Sequence, residues 1–189
     1  MEGVMEYIGK HVRIMQATEE DFDFLCRLEC DPNIWVYEES IESDAEKVRE
    51  KYREQFSTNV DRYAYDFIIR RVGDAENTPI GLVQIWSYVD FRKSWELGFG
   101  MLPEYTGRGY ASEATRLLLQ FAFAEVQAHK VVGMCNAQNK RSALLMEKVG
   151  MKREGIFREE LFWNEQYVDQ YFFSILKSEF FADTGVEGV

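Results

Sequence analysis

The segment 103–114, PEYTGRGYASEA, places Gly107 and Gly109 on either side of Arg108, immediately before a run of residues with helical periodicity. The first backbone N–H groups of a helix have no partners within it, and the helix dipole there favours negative charge. Glycine lets the backbone approach an anion closely and adopt a positive φ angle, while arginine adds positive charge. The spacing indicates a loop that binds phosphate or pyrophosphate, or else a turn that only packs the helix onto a sheet.

Two common phosphate-binding motifs do not fit this segment. A Walker loop requires G-x-x-x-x-G-K-[ST], which the sequence does not contain. A dinucleotide fingerprint requires a third glycine or alanine where this chain has Ser112, and a predicted antiparallel meander precedes the loop. The preceding segment 95–101, WELGFGM, holds Gly98 and Gly100 inside a predicted strand, which marks a bulge or a close ligand. We therefore expect a long ligand along this strand, with its phosphates in the loop.

The elements that must position this loop are predicted in the order β-α-α-β-β-β-α-β-α-β-β. Alternating apolar residues predict the strands, and residues at helical spacing predict the helices. Thr18 and Ser43 are expected to open the first two helices, Gly150 to close the last one, and Asn164–Glu165 to form a hairpin turn. The middle β-α-β unit requires a parallel crossover. The prediction is an α+β fold with a mixed, mostly antiparallel sheet of about seven strands and helices on both faces.

Length and composition are typical of one globular domain, with 189 residues, 46% hydrophobic and 15% aromatic. We expect residues 1–181 to form this domain and residues 182–189 to be a flexible tail. The net charge is −11, and residues 1–60 carry fifteen acidic and seven basic side chains, a net charge of −8. Such a field disfavours nucleic acid as a partner and attracts cations such as amines, although acidic helix surfaces alone also explain it.

The cysteine pattern and hydropathy bear on the expected setting. Three cysteines at uneven spacing do not form a disulfide framework, and they favour a reducing, cytoplasmic compartment. No apolar run approaches the roughly 20 residues of a membrane span, and the first residues lack the apolar core of a signal peptide. We therefore expect no membrane partner. With two histidines in the chain, no metal site is expected, and either a monomer or a homodimer is compatible with the sequence.

Three segments carry a resemblance to a known family: ELGFGMLPEYTGRGYASEA, NAQNKRSALLMEKVGMKREG and FWNEQYVDQYFFSIL. On these segments the chain resembles the GNAT superfamily of N-acetyltransferases, and within it the RimJ/RimL group and the related spermidine/spermine acetyltransferases. The resemblance extends from about Val12 to Leu176. The family's loop pattern is Q/R-x-x-G-x-G/A, and Glu104 departs from it at the first position.

The resemblance implies acetyl-CoA as cosubstrate, no metal, and direct attack of an amine acceptor on the thioester. It also implies a GNAT fold in which the strand at 95–101 separates from the strand at 130–135, with the pantetheine arm of the coenzyme between them. Backbone contacts to this arm are expected at Phe99, Gly100 and Met101, and contacts near the sulfur at Asn139 and Ser142. The residues expected to hold the pyrophosphate are Thr106, Gly107, Arg108, Gly109, Tyr110, Ala111 and Ser112.

The catalytic groups are predicted from the same resemblance. Many relatives protonate the leaving thiolate with a tyrosine at the position of Met146, which cannot donate a proton. Ser142, about one helical turn earlier, is expected to replace it, with a helix-surface serine as the alternative. Glu96 lies beside the expected acetyl group and is predicted to accept a proton, directly or through water; the alternative is a solvated strand residue. Glu160 is a weaker candidate, because a gap-free match falls on Leu161.

The acceptor side is predicted between the first two helices. Trp35 and Tyr37 could pack against an alkyl chain or a cation, and Glu38 and Glu39 could bind an ammonium group. Polyamine acetyltransferases carry a similar stretch, but they use the acid tyrosine that is missing here, so a protein N-terminus or another small amine is preferred to a polyamine. Two further hypotheses are a non-catalytic acyl-CoA-binding sensor, suggested by Met146, and a dehydrogenase with an unusual loop.

Overall fold

The computed structural model describes residues 5–57 and 63–184, which contain a single sheet of eight strands in the order β1-β2-β3-β4-β5-β6-β8-β7. Neighbouring strands pair antiparallel except β5 and β6, which are parallel. The strands are β1 (Glu6–Ile8), β2 (Val12–Gln16), β3 (Ala64–Arg71), β4 (Pro79–Val89), β5 (Ser94–Met101), β6 (Lys130–Asn136), β7 (Lys152–Trp163) and β8 (Gln166–Leu176). The helices are α1 (Phe22–Glu29), α2 (Ala45–Ser57), α3 (Tyr110–Ala124), α4 (Lys140–Lys148) and α5 (Lys177–Thr184).

The predicted fold class is confirmed, and the predicted elements occur in the predicted order. The structure adds two elements, the three-residue strand β1 and the helix α5. Because α5 runs from Lys177 to Thr184, regular structure continues past the expected domain boundary at residue 181. The remainder of the expected tail, residues 185–189, lies outside the described residues.

The centre of the sheet is covered by helices on both faces, which explains why β3 is buried without a break from Asp66 to Arg70. Phe67 packs against Phe121 of α3, with ring centroids 4.9 Å apart, in the larger core. Ile68 points to the opposite face and joins a second core with Leu25 of α1 and Tyr52 of α2. Burial of each such side chain stabilises the fold by about 1.5–3 kcal/mol. The two cores fix the faces on which the other side chains of β3–β5 lie.

Capping residues set the helix ends near the site. Asn139 precedes α4, and its side-chain oxygen accepts the backbone N–H of Ser142 at 3.1 Å. Gly150 follows α4 with a φ of 96°, as a C-terminal glycine does. The first residue of α2 follows Asp44, whose Oδ1 accepts a backbone N–H two residues along at 3.0 Å. The expected cap at Ser43 is therefore wrong by one residue.

The predicted start of the first helix and the predicted last hairpin are both observed. Thr18 opens a short 3-10 turn that leads into α1, and its N–H donates to Asp21 Oδ2 at 3.0 Å. The final hairpin turns at Asn164 and Glu165, whose φ angles are 51° and 60°. Two consecutive positive φ angles are the geometry of the two-residue turn that matches the twist of paired strands.

The join between β5 and β6 is short. Ser94–Glu96 pair with Lys130–Val132, and within the described residues the two strands form no further pairs. At the point where they diverge, Met146 of α4 fills the space beside Gly133, where an added Cβ would lie 2.8 Å from its sulfur. The edge of β5 from Leu97 onward is thus left open toward β6. This is the strand separation that the family resemblance implies.

Candidate active site

A cavity of about 870 Å³ lies where β5 and β6 separate, and α2, α4, the segment 35–42 and the strands from β3 to β8 contribute to its wall. The structure brings eight of the predicted residues to this one cavity. They are Trp35, Tyr37, Glu38, Glu39, Glu96, Phe99, Asn139 and Ser142. Gly100, Met101 and the loop 106–112 lie outside the cavity wall.

Glu96 faces the cavity from β5, because Trp95 and Leu97 on either side of it point into the larger core. Its strand partner on β4 is Trp86, and the pair lies side by side on the cavity face. Burial raises the pKa of Glu96, a hydrogen bond from the Trp86 indole opposes this, and the negative charge of Glu38 raises the pKa further. A carboxylate with a raised pKa in a cavity has the character of a general base.

The acidic segment between α1 and α2 is fastened to the β7–β8 hairpin. Glu39 Oε1 accepts the backbone N–H of Phe162 at 2.7 Å, and the Trp163 indole donates to the Val36 carbonyl at 2.7 Å. Tyr37 stacks on Trp163 with ring centroids 5.5 Å apart. Tyr37 and Glu39 thus hold the segment in place, and their predicted contacts with the acceptor stay predictions.

Glu38, in contrast, directs its charge into the cavity. Burial of its carboxyl group raises its pKa, and the negative charges of Glu39 and Glu29 raise it further. Its charge in turn raises the pKa of Glu96 and of Cys135. Glu38 is therefore the member of the predicted acidic pair that interacts electrostatically with the predicted base.

Gly98 and Gly100 of β5 do not mark the predicted bulge, and their lack of a side chain has another cause. β5 pairs with β4 in regular register across Gly98 and Gly100, so neither marks a bulge. An added Cβ would lie 3.1 Å from the Trp86 ring at Gly98 and 2.9 Å from the Trp35 ring at Gly100. Trp35 is held there by its indole N–H, which donates to the Leu28 carbonyl at 2.9 Å. The glycines make room for two indole rings that wall the cavity.

The loop at residues 106–112 has the geometry of an anion site. Gly107 and Gly109 have φ angles of 73° and 83°, which favour glycine, and no atom lies within 4 Å of an added Cβ at either position. Gly109 is the N-cap of α3, and its carbonyl accepts the N–H of Glu113 at 3.1 Å. The N–H groups of Tyr110–Ser112 precede that bond and have no partner within the helix. The loop therefore fits a pyrophosphate.

One acidic residue of α3 near this loop is held by hydrogen bonds from a neighbouring segment. Glu113 accepts the backbone N–H of His11 at 2.9 Å and contacts the His11 ring nitrogen Nδ1 at 3.0 Å. Although its partial burial alone would raise the pKa of Glu113, these hydrogen bonds and those from the Lys10 and Val12 backbone lower it. The carboxylate is thereby held on the side of β2, and it does not occupy the N-terminus of α3 in place of an anion.

The position of the family's acid tyrosine is filled by a buried methionine. Met146 is 1% exposed and belongs to the larger core while also contributing to the cavity wall. Ser142 lies one turn earlier on α4, is half-buried and lines the same cavity. Leu161 rather than Glu160 reaches the cavity from β7. Ser142 is thus the hydroxyl group of α4 that is placed to meet a leaving group in the cavity.

The polar residues of the cavity wall that sequence reasoning missed include Asp66, Gln84, Cys135 and Asn136. Asn136 is 4% exposed, and its Oδ1 accepts the N–H of Gln138 at 2.9 Å, while its Nδ2 has no partner among the described residues. Burial raises the pKa of Cys135 to about 11, with a contribution from Glu38, so its thiol is protonated at neutral pH. The sequence feature that could have identified Asp66 and Gln84 is a polar side chain between apolar neighbours in a predicted strand.

The cavity is strongly acidic. Six carboxylates and two ammonium groups line it, a net charge of −4 when all are ionised. Clefts lined by one sign of charge concentrate ligands of the opposite sign. The residues concerned are Glu29, Glu38, Glu39, Glu42, Asp66 and Glu96, together with Lys47 and Lys51.

Neither a membrane-spanning helix nor a metal-binding cluster occurs in the described part of the chain. None of its helices is both long enough and apolar enough to cross a membrane. Within residues 5–57 and 63–184, no group of three or more His, Cys, Asp or Glu side chains is arranged to hold a metal ion.

Comparison with known proteins links this geometry to a family. A family described as acetyltransferase (GNAT) domain matches residues 11–152. The chain is 33% identical over 104 residues to the uncharacterized N-acetyltransferase YnaD of Bacillus subtilis, covering 55% of this chain but only 61% of that protein. It is 29% identical over 162 residues to the spermidine N(1)-acetyltransferase of Vibrio cholerae, covering 85% and 90% of the two chains.

Solved structures give the same result. The crystal structure of a GNAT-family acetyltransferase from Bacillus anthracis superposes with a TM-score of 0.79 and 25% identity, covering 93% of this chain and all of that one. The spermidine N-acetyltransferase from Vibrio cholerae, in complex with CoA and spermine, superposes with a TM-score of 0.79 and 26% identity, covering 89% and 97%.

Proposed function

Because this chain belongs to the acetyltransferase (GNAT) family and is an enzyme of the acyltransferase class, we propose that it moves an acetyl group from acetyl-CoA to a primary amine of a small cationic molecule. The observation that carries this proposal is the cavity with six carboxylates, directly beside the separation of β5 and β6. A polyamine is the acceptor class that this charge favours. The named activity of the spermidine acetyltransferase relatives supports the same choice.

The coenzyme side of the proposal uses mainly backbone groups. The N–H groups of the loop 106–112, with Arg108, would hold the pyrophosphate, and the open edge of β5 at Phe99–Met101 would bond to the pantetheine arm. Asn139 and Ser142 would lie near the sulfur, at the start of α4. Acetyl-CoA supplies an acetyl group activated as a thioester, with a thiol leaving group whose pKa is near ~8.5.

Glu96 is proposed to remove the proton that the amine must lose before attack or as the new bond forms. Its carboxylate is half-buried in the cavity, its pKa is raised, and Trp86 holds it beside the cavity. The higher pKa makes the carboxylate a stronger base, while the Trp86 hydrogen bond keeps it ionised. The proton leaves the amine nitrogen and is bound at a Glu96 oxygen, directly or through water.

Ser142 is proposed to donate a hydrogen bond from its hydroxyl group to the departing sulfur, which leaves as a thiolate and takes its proton from solvent. Its backbone is fixed by the hydrogen bond to Asn139, so the side chain begins from a defined position in the first turn of α4. Met146 cannot serve this role and instead packs against Gly133 at the point where β5 and β6 separate. Since a thiolate is a tolerable leaving group, stabilisation by one hydrogen bond suffices, and Ser142→Ala should lower kcat about tenfold.

A small cation fits the cavity better than the N-terminus of a folded protein. The segment 34–40 is bound to the β7–β8 hairpin by two hydrogen bonds and a ring stack, which closes one side of the cavity. Within the cavity, carboxylates predominate, as suits a ligand with several ammonium groups. A peptide carries one ammonium group at its N-terminus, and its own backbone carbonyls would face these carboxylates.

The test is thiol release from acetyl-CoA against a panel of spermidine, simple diamines, aminoacyl peptides and amino sugars. The proposal expects release that depends on the acceptor and is fastest with the polycations. Release with peptides alone would replace the proposed acceptor by a protein N-terminus. Binding of acetyl-CoA by calorimetry with no release for any amine would instead identify a non-catalytic sensor, the function that the buried Met146 would favour.

A further inference from the structure

The far wall of the cavity contains a buried carboxylate that the proposed chemistry does not use. Asp66 of β3 is 6% exposed, and Gln84 Nε2 donates to its Oδ1 at 2.6 Å. Gln55 Nε2 donates to its Oδ2. Within residues 5–57 and 63–184, no lysine, arginine or histidine forms an ion pair with Asp66. A buried carboxylate without a cationic partner is costly, so its retention on a cavity wall calls for a ligand.

Strand register places Asp66 on the same face as the proposed base. Asp66 pairs with Gln84, which pairs with Gly98, while Trp86 pairs with Glu96 in the adjacent row. Strands are about 4.8 Å apart and rise about 3.3 Å per residue. Two strands across and two residues along give about 12 Å between the Cα atoms of Asp66 and Glu96. The two carboxylates are therefore at opposite ends of one polar surface.

The side chain of Gln84 is oriented by its neighbours. Its Nε2 donates to Asp66 and also to the Tyr52 hydroxyl, at 3.2 Å, so both amide hydrogens are used. Its Oε1 is turned toward Gly98, where an added Cβ would lie 3.5 Å away. The Tyr52 hydroxyl in turn donates to Glu29 Oε1 at 2.9 Å. The network thus leaves acceptor oxygens of Asp66, Gln84 and Glu29 in the cavity wall and uses its donors internally.

We propose that Asp66, Gln84 and Glu29 form a second ammonium subsite, which makes the enzyme selective for amines that carry another amino group remote from the one that is acetylated. An ammonium group has three N–H donors and no acceptor, which matches a wall of acceptor oxygens. The subsite rests on the proposed function, because the reacting amine must lie near Glu96 for the second group to reach Asp66. An aliphatic chain that joins the two groups would cross the Trp86 ring, which packs over Gly98 and lines the cavity.

Lys51 on α2 competes with such a ligand. Its ammonium group lines the same cavity, and its charge lowers the pKa of Asp66, although burial of the carboxyl, the largest influence, raises it. Lys51 is exposed to solvent and forms no ion pair with Asp66. A ligand ammonium group that reaches Asp66 would supply the direct contact that Lys51 does not make.

The test compares diamines of increasing length with alkyl monoamines of the same length, using kcat/KM of the full chain with acetyl-CoA. The wild type should prefer the diamine, with an optimum at one chain length. In Asp66→Asn, kcat/KM for that diamine should fall about tenfold, and for the monoamine much less, since one charge-assisted contact is lost. Glu50→Gln, the same loss of charge at an exposed position of α2 outside the cavity, is the matched control and should keep the wild-type preference.

The outcomes separate the subsite from the proposed function. Acetylation of monoamines and diamines at equal rates, or an unchanged diamine preference in Asp66→Asn, overturns the subsite and leaves the function standing. Acetylation of no amine overturns the function. If circular dichroism shows that Asp66→Asn is unfolded, Lys51→Met provides the test instead. Loss of the competing cation should increase the diamine preference about two- to threefold. An unchanged or smaller preference contradicts the subsite.

Discussion

The two substrate sides of this enzyme are built in opposite ways. The proposed coenzyme loop consists of seven consecutive residues, 106–112, with backbone N–H groups and positive-φ glycines that suit an anion. The acceptor cavity gathers side chains from α1, α2, α4 and six strands, and its charge is supplied by six carboxylates. The donor side therefore depends on local backbone conformation, and the acceptor side depends on tertiary packing. A substitution should damage one side without damaging the other.

The largest difference between the effects on the acceptor side and on the coenzyme side is expected from Glu96→Gln. The substitution keeps the size of the side chain and removes the proposed base, so kcat should fall about 100-fold while the affinity for CoA stays the same. Steady-state kinetics and calorimetric titration of CoA measure the two quantities. Glu160→Gln, on the exposed face of β7, is the control and should retain full activity. A kcat for Glu96→Gln within a few-fold of wild type would remove Glu96 from the mechanism.

Gly109→Val is expected to weaken the coenzyme side and leave the acceptor side intact. A branched residue at a φ of 83° is unfavourable by about 1–2 kcal/mol, so the loop should distort and CoA should bind about tenfold more weakly. The KM for the amine should change little. Gly73→Val is the matched control, because Gly73 has a φ of 79° and equally open surroundings in the turn after β3. Equal losses of CoA affinity in both variants would argue against the loop as the pyrophosphate site.

A smaller effect tests the electrostatics within the acceptor side. The negative charge of Glu38 raises the pKa of Glu96. Because a general base must be ionised, kcat/KM falls as the pH drops through that pKa, and this acidic limb of the pH profile reflects the interaction. Glu38→Gln removes the like charge and should move that limb to lower pH. Glu42→Gln removes a carboxylate from the same cavity wall without this coupling and should shift the limb less. A shift of the limb to higher pH in Glu38→Gln would contradict the assignment of Glu96.

Most of the fold could be predicted from the sequence because its signals are local. The alternation in β2, the glycine after α4 and the turn at Asn164–Glu165 are each contained within a few residues. β1 has three residues, too few for a periodic pattern. The helix α5 was hidden because its stability comes from distant contacts, such as the packing of Phe180 on Phe123 with centroids 5.3 Å apart.

The site could be predicted where it lies in contiguous segments or matches a family motif. The loop 106–112 and the segment 35–39 are single stretches, and both could be named from the chain. Asp66 and Gln84 become neighbours only through the register of β3 and β4, which one sequence does not fix. The packing of the Trp86 and Trp35 rings on Gly98 and Gly100 could not be predicted for the same reason, since these rings come from elsewhere in the chain.

The short join between β5 and β6 has a consequence for folding and stability. The sheet consists of two antiparallel blocks, β1–β5 and β6–β8, that meet through three residue pairs in a parallel arrangement. Within the blocks, β3–β4, β4–β5, β6–β8 and β7–β8 are each held by seven or eight residue pairs, whereas the join has three. Backbone amides at the open edge should therefore exchange with solvent faster than those inside either block. A ligand that fills the gap links the blocks, and at 100 times its Kd it stabilises the folded state by about 2.7 kcal/mol. A cosubstrate bound in this gap, as proposed, would thus also act as a structural member of the sheet that it divides.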